Sequence, residues 1–185
     1  SAGYLRPPRM DRRLIILFIT IFIDLVGFGI FIPVVPFVAR ELGASDALVG
    51  DAGWVFSLLM FLFGPFWGAV SDRYGRRPVI FIAVAISAVS YVLFSFATSI
   101  VVLFISRMLT GVGSANIAAA QAYISDITPE EGRAKSLGMV GAAFGLGFIF
   151  GPPLGGLVYH YFGTAMVGYV AAGFCVLNLL AIWFF

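Results

Sequence analysis

Six apolar runs, each long enough to cross a lipid bilayer as a helix, account for nearly all of this 185-residue chain. Spanning the hydrocarbon core takes about 20 apolar residues, and the runs cover residues 14–39, 47–70, 78–97, 100–125, 136–159 and 164–185. Only 11% of the residues are charged, against roughly 25% in a soluble domain. This composition excludes a water-soluble core, and the sequence predicts an all-α membrane protein built as a six-helix bundle.

The basic residues lie mostly in the connections and predict how the chain is oriented. Three arginines fall in the connection between the second and third runs, at residues 68–78. Short cytoplasmic loops collect Lys and Arg, and the N-terminal arginines, Arg133 and Lys135 all fall on that same side. This bias predicts a basic cytoplasmic N-terminus over residues 1–13, a transmembrane domain over 14–185, and both termini in the cytoplasm. The expected location is a plasma or inner membrane.

The connection at residues 68–78 also has residues suited to a hinge. Gly68 allows two helices to approach closely, Gly75 permits a turn with positive φ, and Asp72 can pair with an arginine. One interpretation is a conformational gate at the cytoplasmic face, formed by Gly68, Asp72, Arg73, Gly75, Arg76 and Arg77. The alternative is a basic turn that sets the topology and has no moving role.

Two sequence signals predict where helices begin. Ser45 precedes the second run and can accept a hydrogen bond from a free backbone N–H there. The segment Thr128-Pro129-Glu130-Glu131 has the form of a capping box, with the proline at the first helical position. It predicts a cytoplasmic helix start that leads into the fifth run.

An aspartate interrupts the first apolar run. Asp24 lies near the bilayer centre, where an ionisable side chain is costly unless it faces a cavity or a partner. Burial favours the neutral form of the carboxyl group, and a nearby cation favours its charged form. A carboxyl group on which both effects act is suited to take up and release a proton. The alternative is a structural aspartate held in a buried hydrogen bond. Phe28 and Phe31, one and two turns further on, are candidates to line a substrate cavity.

An arginine interrupts the fourth apolar run. Arg107 does not deprotonate, so we expect it to tune a carboxylate or attract an anionic group, and Gln121 continues the same helical face. Asp24 and Arg107 lie at comparable depths, and a direct ion pair that only closes the bundle is the alternative. Since the first and fourth runs each carry one ionisable residue, the six runs divide into two sets of three. Inverted three-helix repeats of this kind are a transporter architecture.

The fifth run is rich in glycine and contains two adjacent prolines. The four-residue spacing of Gly147, Gly151 and Gly155 predicts a groove for a neighbouring helix, and Pro152 should kink the run because it lacks a backbone donor. A smooth, kinked helix can rock against its partner. Tight static packing is the alternative interpretation.

Several kinds of chemistry are not expected. Cys175 is the one cysteine, so neither an internal disulfide nor a cysteine metal cluster is expected. No nucleophile–base pair or metal-ligand set occurs, which predicts a protein that is not an enzyme and needs no cofactor or metal. Membrane lipids are the expected surroundings, and no nucleic acid is expected as a partner.

Four stretches resemble the Major Facilitator Superfamily. Gly68-x-x-x-Asp72-Arg73-x-Gly75-Arg76-Arg77 is similar to the loop between its second and third helices, and Arg107-Met108-Leu109-Thr110-Gly111-Val112-Gly113 to its helix-four motif. Gly147-x-x-x-Gly151-Pro152-x-x-Gly155-Gly156 resembles the helix-five motif of its antiporters, and the segment from Asp24 to Pro36 resembles helix one of the tetracycline-exporter-like branch. The resemblance implies one half of a major facilitator fold, with Asp24 and Arg107 in proton coupling.

The function implied is that of a proton-coupled exporter, or of its N-terminal half. Such a transporter would exchange protons for a small amphipathic molecule by alternating access, driven by the proton gradient, with Asp24, Phe28, Phe31, Arg107 and Gln121 as candidate substrate contacts. A second six-helix half is expected as partner, supplied by a longer chain or by a second copy in a homodimer. The alternatives are a proton-independent facilitator of lipids or small solutes and a non-transporting membrane scaffold.

Overall fold

The computed structural model describes residues 12–184, and every regular element in that range is an α-helix. This result confirms the predicted all-α class. The elements are α1 (Arg12–Glu41), α2 (Asp46–Tyr74), α3 (Arg76–Ser95), α4 (Ile100–Ser114), α5 (Asn116–Ile127) and α6 (Glu130–Trp183). Most of the predicted basic N-terminus, residues 1–11, lies outside the described residues, as does Phe185.

Five segments of the described chain are long and apolar enough to cross a membrane. They are Leu17–Glu41, Asp46–Tyr74, Arg76–Ser95, Ile100–Ile127 and Glu130–Trp183. A span of about 20 residues suffices for the hydrocarbon core, so the last segment, which is 54 residues long, far exceeds what one crossing requires. The six predicted spans and their inverted repeats stay predictions. The number of spans depends on whether α6 crosses the membrane once or twice.

Gly163 interrupts α6. Its φ of 78° and ψ of −179° are not helical, and a positive φ is accessible to glycine at little cost. Before the break, Gly147 lies against Leu25 and Gly155 against Ile30. After it, Asn178 bonds to Thr20 and Asp24. The chain therefore reverses direction along α1 at Gly163, and we refer to residues 130–162 and 164–183 as the first and second segments of α6.

Within the predicted run 100–125, a break at Ala115 separates α4 from α5, while Ile100–Ile127 together form one candidate membrane span. The indole Nε1 of Trp67 donates a hydrogen bond of 2.8 Å to the Val112 carbonyl. In an uninterrupted helix that carbonyl accepts from the N–H four residues later. The side chain of α2 thus satisfies a carbonyl at the end of α4, so the break leaves this acceptor paired. Trp67 is remote in sequence, which is why the local pattern did not reveal the break.

One predicted cap is present and another is absent. Ser45 accepts the hydrogen bond from the Leu48 N–H at 3.3 Å and caps α2, as predicted. The predicted capping box at Thr128 does not form. The Thr128 hydroxyl is buried and donates a hydrogen bond to the Ile124 carbonyl at 2.6 Å instead. Pro129 is the N-cap rather than the first helical residue, and α6 begins at Glu130 without a side-chain cap.

Glycines allow the helices to pack at very short range. A Cβ added at Gly29 would lie 2.8 Å from the Gly147 carbonyl oxygen, and one added at Gly151 would lie 2.6 Å from the Cα of Gly29. Glycines of α4 and of the second segment of α6 pack in the same way against α2 and α3. Helices in lipid gain no hydrophobic attraction from one another, so such close contact is a main source of their association.

Gly68 does not make the close helix contact that its position suggested. A Cβ added there would meet nothing within 4 Å in the described part of the chain. No other described helix therefore approaches α2 closely at Gly68, because the side of α2 that carries Gly68 faces open space. Gly75 adopts the expected positive φ, at 94°, and separates α2 from α3.

Candidate functional site

A small cavity of about 40 Å³ has Asp24 in its wall. All six helical elements contribute to its lining, which consists of Asp24, Leu25, Phe28, Phe56, Met60, Ser87, Tyr91, Ser114, Ile117 and Phe144. One water molecule needs roughly 10–15 Å³ on this measure, so a few waters fit and a drug-sized molecule does not. The Asp24 carboxyl group, in the middle of α1, is therefore surrounded mostly by apolar side chains and by a few polar ones.

Asp24 is held by a residue from the other end of the chain. The Asn178 amide nitrogen donates to the carboxylate Oδ1 of Asp24 at 2.9 Å and to the Thr20 carbonyl at 3.1 Å. Asn178 is fully buried, at 0% exposure, whereas Asp24 is partly exposed towards the cavity. A hydrogen bond donated to a carboxylate stabilises the charged form. Asn178 was not singled out from the sequence.

Arg107 forms no ion pair with Asp24 within the part of the chain that the structure describes. Its guanidinium instead lies 4.8 Å from the ring centroid of Phe56 and 5.7 Å from that of Phe31. The side chain is 5% exposed, and its Nε has no hydrogen-bond partner among the described residues. Cation–π contacts of this kind stabilise a desolvated cation more than an exposed one.

Tyr91 lies between the cavity and the rings that face Arg107. It lines the cavity with Asp24 and is only 3% exposed. Its ring stacks on that of Phe31 with a centroid distance of 4.6 Å. The structure therefore brings Asp24 and Arg107 into one buried cluster with a tyrosine, without a direct bond between them.

The three other candidate substrate contacts lie in different surroundings. Phe28 lines the cavity and stacks on Phe56 at 5.1 Å. Phe31 is only 1% exposed and packs edge-on against Phe94, so it belongs to the core of the bundle and not to the cavity wall. Gln121 is exposed on α5. Of the five candidates, Asp24 and Phe28 therefore reach the cavity.

A second polar cluster lies at the turn between α2 and α3. Arg76 pairs with Asp72 at 2.6 Å and with Asp126 at 3.0 Å, and it donates to the Ser71 hydroxyl at 2.6 Å. The arginine is only 18% exposed, while the two carboxylates are 64% and 56% exposed. Arg76 thereby links the turn to the end of α5. Asp126 was missed in the sequence because it follows the apolar run directly.

The neighbouring arginines of this turn have different partners. Arg77 donates to the carbonyls of Ile182 and Trp183, at 3.0 and 2.5 Å, at the end of α6. The last carbonyls of a helix lack intrahelical donors and attract positive charge, so Arg77 fastens the second segment of α6 to the start of α3. Arg73 is exposed and lies 5.6 Å from the ring centroid of the adjacent Tyr74.

The glycine-rich part of α6 forms the groove that its spacing predicted. Gly147, Gly151 and Gly155 contact the backbone of α1 between Leu25 and Ile30. These contacts begin at the residue that follows Asp24, so any sliding of α6 would occur directly beside the cavity. Gly156 faces open space instead. Pro152 lies within the continuous helical segment, and its Cδ lies near Gly29.

Metal binding has no structural support in the described part of the chain. Within residues 12–184, no group of three or more His, Cys, Asp or Glu side chains is placed to hold a metal ion. The polar groups in the cavity wall are one carboxyl, one phenol and two hydroxyls, and the buried Asn178 amide is bonded to the carboxyl. These groups can bind a proton, water or a cation.

The sequence profile of the Major Facilitator Superfamily matches residues 17–185. The class H tetracycline resistance protein of Pasteurella multocida is 31% identical over 95% of this chain and 45% of that protein. The class G protein of Vibrio anguillarum is 39% identical over 80% of the chain and 39% of its own length. Multidrug resistance protein 1 of Bacillus subtilis is 36% identical over 92% of the chain and 46% of its own length. The chain spans less than half of these relatives.

Solved structures agree with this relationship. The crystal structure of the human organic anion transporter MFSD10 (TETRAN) matches with a TM-score of 0.82 at 28% identity, over 97% of this chain and 48% of that one. The POT family transporter PepTSo shares the fold with a TM-score of 0.84 at 17% identity, over 96% of this chain and 38% of its own. The similarity to transporters confirms that the chain does not belong to an enzyme family. The chain belongs to the Major Facilitator Superfamily and is a multi-pass integral membrane protein.

Proposed function

We propose that the chain is the N-terminal part of a secondary active transporter that exports a small amphipathic molecule in exchange for protons. The observation that carries this proposal is the placement of Asp24, a carboxyl group in the middle of a membrane helix beside a small cavity. Three relatives named for tetracycline or multidrug resistance support a drug as the substrate class. Asp24 and Phe28 are the proposed substrate contacts from this chain, and residues of a second half would supply the others.

In the proposed cycle, Asp24 receives a proton from the outer side and releases it to the cytoplasm. An ionised Asp24 attracts a cationic substrate, and protonation removes that attraction, so substrate and proton compete for one group. Arg107 tunes this competition from within the same buried cluster, where it faces Phe56 and Phe31 rather than Asp24. The cluster around Arg76 closes the cytoplasmic side in one state, and the glycine groove of α6 permits movement against α1. Residues 1–13 and the end of the chain lie in the cytoplasm, in a plasma or bacterial inner membrane.

We propose that a second six-helix half covers the exposed sides of α2 and of the first segment of α6. Only 11% of the apolar window of α2 is buried, against 44% for α3. Glycines on these two elements would meet nothing within 4 Å if a Cβ were added, namely Gly50, Gly53, Gly64, Gly68, Gly138, Gly141 and Gly145. Smooth glycine surfaces are suited to helix packing. A longer chain or a second copy of this one can supply the partner.

The test is export by the natural gene product in proteoliposomes with a fluorescent cationic dye as probe. A proton gradient directed out of the liposomes, with an acidic interior, should drive dye uptake against the dye's own gradient, and collapse of the pH difference should stop that uptake. Transport that ignores the pH difference would support the facilitator of lipids or solutes instead. Paired spin labels at the two membrane faces address the scaffold alternative, which requires one fixed set of distances in every condition.

We predict that Arg76→Lys slows export more than tenfold although it preserves the positive charge of the turn. Lysine is a point charge on a flexible stem and cannot reproduce the fork that reaches Ser71, Asp72 and Asp126 together. The orientation set by basic residues should not change. Export rate and the cytoplasmic location of the turn are measured in the same preparation. Arg73→Lys is the matched control and should behave as wild type, and normal export by Arg76→Lys would favour a turn that only sets topology.

A further inference from the structure

We propose that Asn178 is a positioning residue for Asp24, whose side-chain amide serves both the ionised and the protonated form of that carboxyl group. The inference rests on the proposed role of Asp24 as the proton carrier. It assigns a role to a residue of the second segment of α6 that lies in none of the recognised motifs.

The donor side of Asn178 is fully used. Its amide nitrogen carries two hydrogens, and the two acceptors in reach are Oδ1 of Asp24 at 2.9 Å and the Thr20 carbonyl at 3.1 Å. The two acceptors belong to residues one helical turn apart on α1. Asn178 therefore spans one turn of α1 and fixes the carboxylate relative to the backbone.

The acceptor side of Asn178 is unused. Its Oδ1 is buried and has no hydrogen-bond partner among the described residues, and the same is true of the hydroxyl of Thr20. A buried polar atom without a partner is unfavourable, and each such atom in a native protein calls for an explanation. The two orphaned atoms belong to the two residues that the bond from the Asn178 amide to the Thr20 carbonyl joins.

Protonation of Asp24 supplies a reason for the unused acceptor. An ionised carboxylate only accepts hydrogen bonds, whereas a protonated carboxyl also donates one. Rotation of the Asn178 amide would present Oδ1 to that proton and turn Nδ2 away from the carboxyl group, at the expense of the bond from Nδ2 to the Thr20 carbonyl. The amide thus offers a partner to either form, which neither an apolar side chain nor a carboxylate at position 178 can do.

Other described groups also surround Asp24. Tyr91 of α3 lines the cavity with it, and Cys175 is buried three residues before Asn178 on α6. Arg107 of α4 faces the rings of Phe56 and Phe31. In the cavity wall, α2 contributes Phe56 and Met60, α4 Ser114, α5 Ile117 and the first segment of α6 Phe144. None of these wall residues carries an amide.

The test is a pH titration of the Asp24 carboxyl by infrared difference spectroscopy on the natural gene product in lipid nanodiscs. The band of the protonated carboxyl is assigned to Asp24 by its loss in Asp24→Asn. In Asn178→Leu, both forms lose a partner, but a hydrogen bond to a charged group is the stronger one. We expect the midpoint of the band to move to higher pH by about one unit, a tenfold change in proton affinity.

A second variant and a control keep the result interpretable. Asn178→Asp keeps the shape of the side chain and places two carboxyls together, so the band should titrate in two separated steps. Thr110→Val removes the buried Ser90–Thr110 hydrogen bond elsewhere in the bundle and should leave the midpoint unchanged. An unchanged midpoint in folded Asn178→Leu, or a single unshifted step in Asn178→Asp, overturns the inference, and so does an equal shift in Thr110→Val.

The outcome is independent of whether the proposed function is correct. The infrared titration requires neither substrate nor transport. If Asp24→Asn still exports dye with the proton gradient, the proposed proton role fails, and the titration continues to report whether Asn178 holds the carboxyl. If Asp24→Asn is inactive and the midpoint does not move in the Asn178 variants, only the inference about Asn178 is overturned.

Discussion

We expect Asp24→Asn to reduce the proposed proton-driven export to the level of liposomes without protein. Asparagine has nearly the shape of aspartate and preserves a partner for the Asn178 amide, but it neither takes up nor releases a proton in the physiological range. The bundle should therefore assemble normally while the exchange of proton for substrate stops. Initial rates of dye uptake in proteoliposomes, with an imposed pH difference, measure the effect.

The matched control for this variant is Asp51→Asn, which makes the same chemical change at an exposed position near the start of α2. It should retain wild-type export. Dye binding without a gradient separates a loss of substrate affinity from a loss of proton coupling. If the Asp24 carboxylate attracts the cationic dye, the protein should bind the dye more weakly when an amide replaces that carboxylate. Sustained export by Asp24→Asn against the dye gradient would rule out Asp24 as the proton carrier.

We expect Gly151→Ala to destabilise the bundle by about 1–3 kcal/mol, the usual cost of adding a methyl group to a tightly packed site. The new Cβ would lie 2.6 Å from Cα and 2.7 Å from the carbonyl carbon of Gly29. These are backbone atoms, so relief requires α6 and α1 to move apart. Thermal or chemical unfolding in a single detergent measures the change. Export should fall as well, because the contact begins one residue after Asp24 and the separation would alter the cavity.

Gly156→Ala is the control on the same segment. A Cβ there meets nothing within 4 Å, and alanine favours a helix by about 1 kcal/mol over glycine, so stability should stay equal or rise. Gly29→Ala tests the other side of the contact, and the pair Gly29→Ala with Gly151→Ala should cost less than the sum of the single changes, since both require the same separation. Additive effects in that double variant would contradict a shared contact.

The sequence was most informative where structure depends on neighbouring residues. Long apolar runs predict helices in a membrane because every backbone polar group must be satisfied within the segment, and the described chain is helical throughout its regular elements. Gly75 predicted the positive-φ turn and Ser45 the cap of α2. Spacing also predicted the glycine groove of α6, since residues four apart share one helical face.

Pairing between distant residues was the part that local patterns did not predict. The positions of Asp24 and Arg107 in their apolar runs indicate their depths in the membrane, but not whether the two helices turn these faces towards each other. In the bundle, Asp24 receives a hydrogen bond from Asn178 and Arg107 faces Phe56 and Phe31. Asparagine carries no charge, so a reading based on intramembrane charges passed over it, although a polar side chain within an apolar run was visible.

The sequence alone therefore determined the class of this protein, its apolar helices, its turns and its family, because hydropathy, glycine and capping residues act within a few positions of the chain. Only the tertiary structure decided which residues of α1 the two segments of α6 contact, the break at Ala115 beside Trp67, and the partners of Asp24, Arg107 and Arg76. Those features depend on the rotation and distance of packed helices. Contacts between residues far apart in the chain set both, and no single segment contains that information.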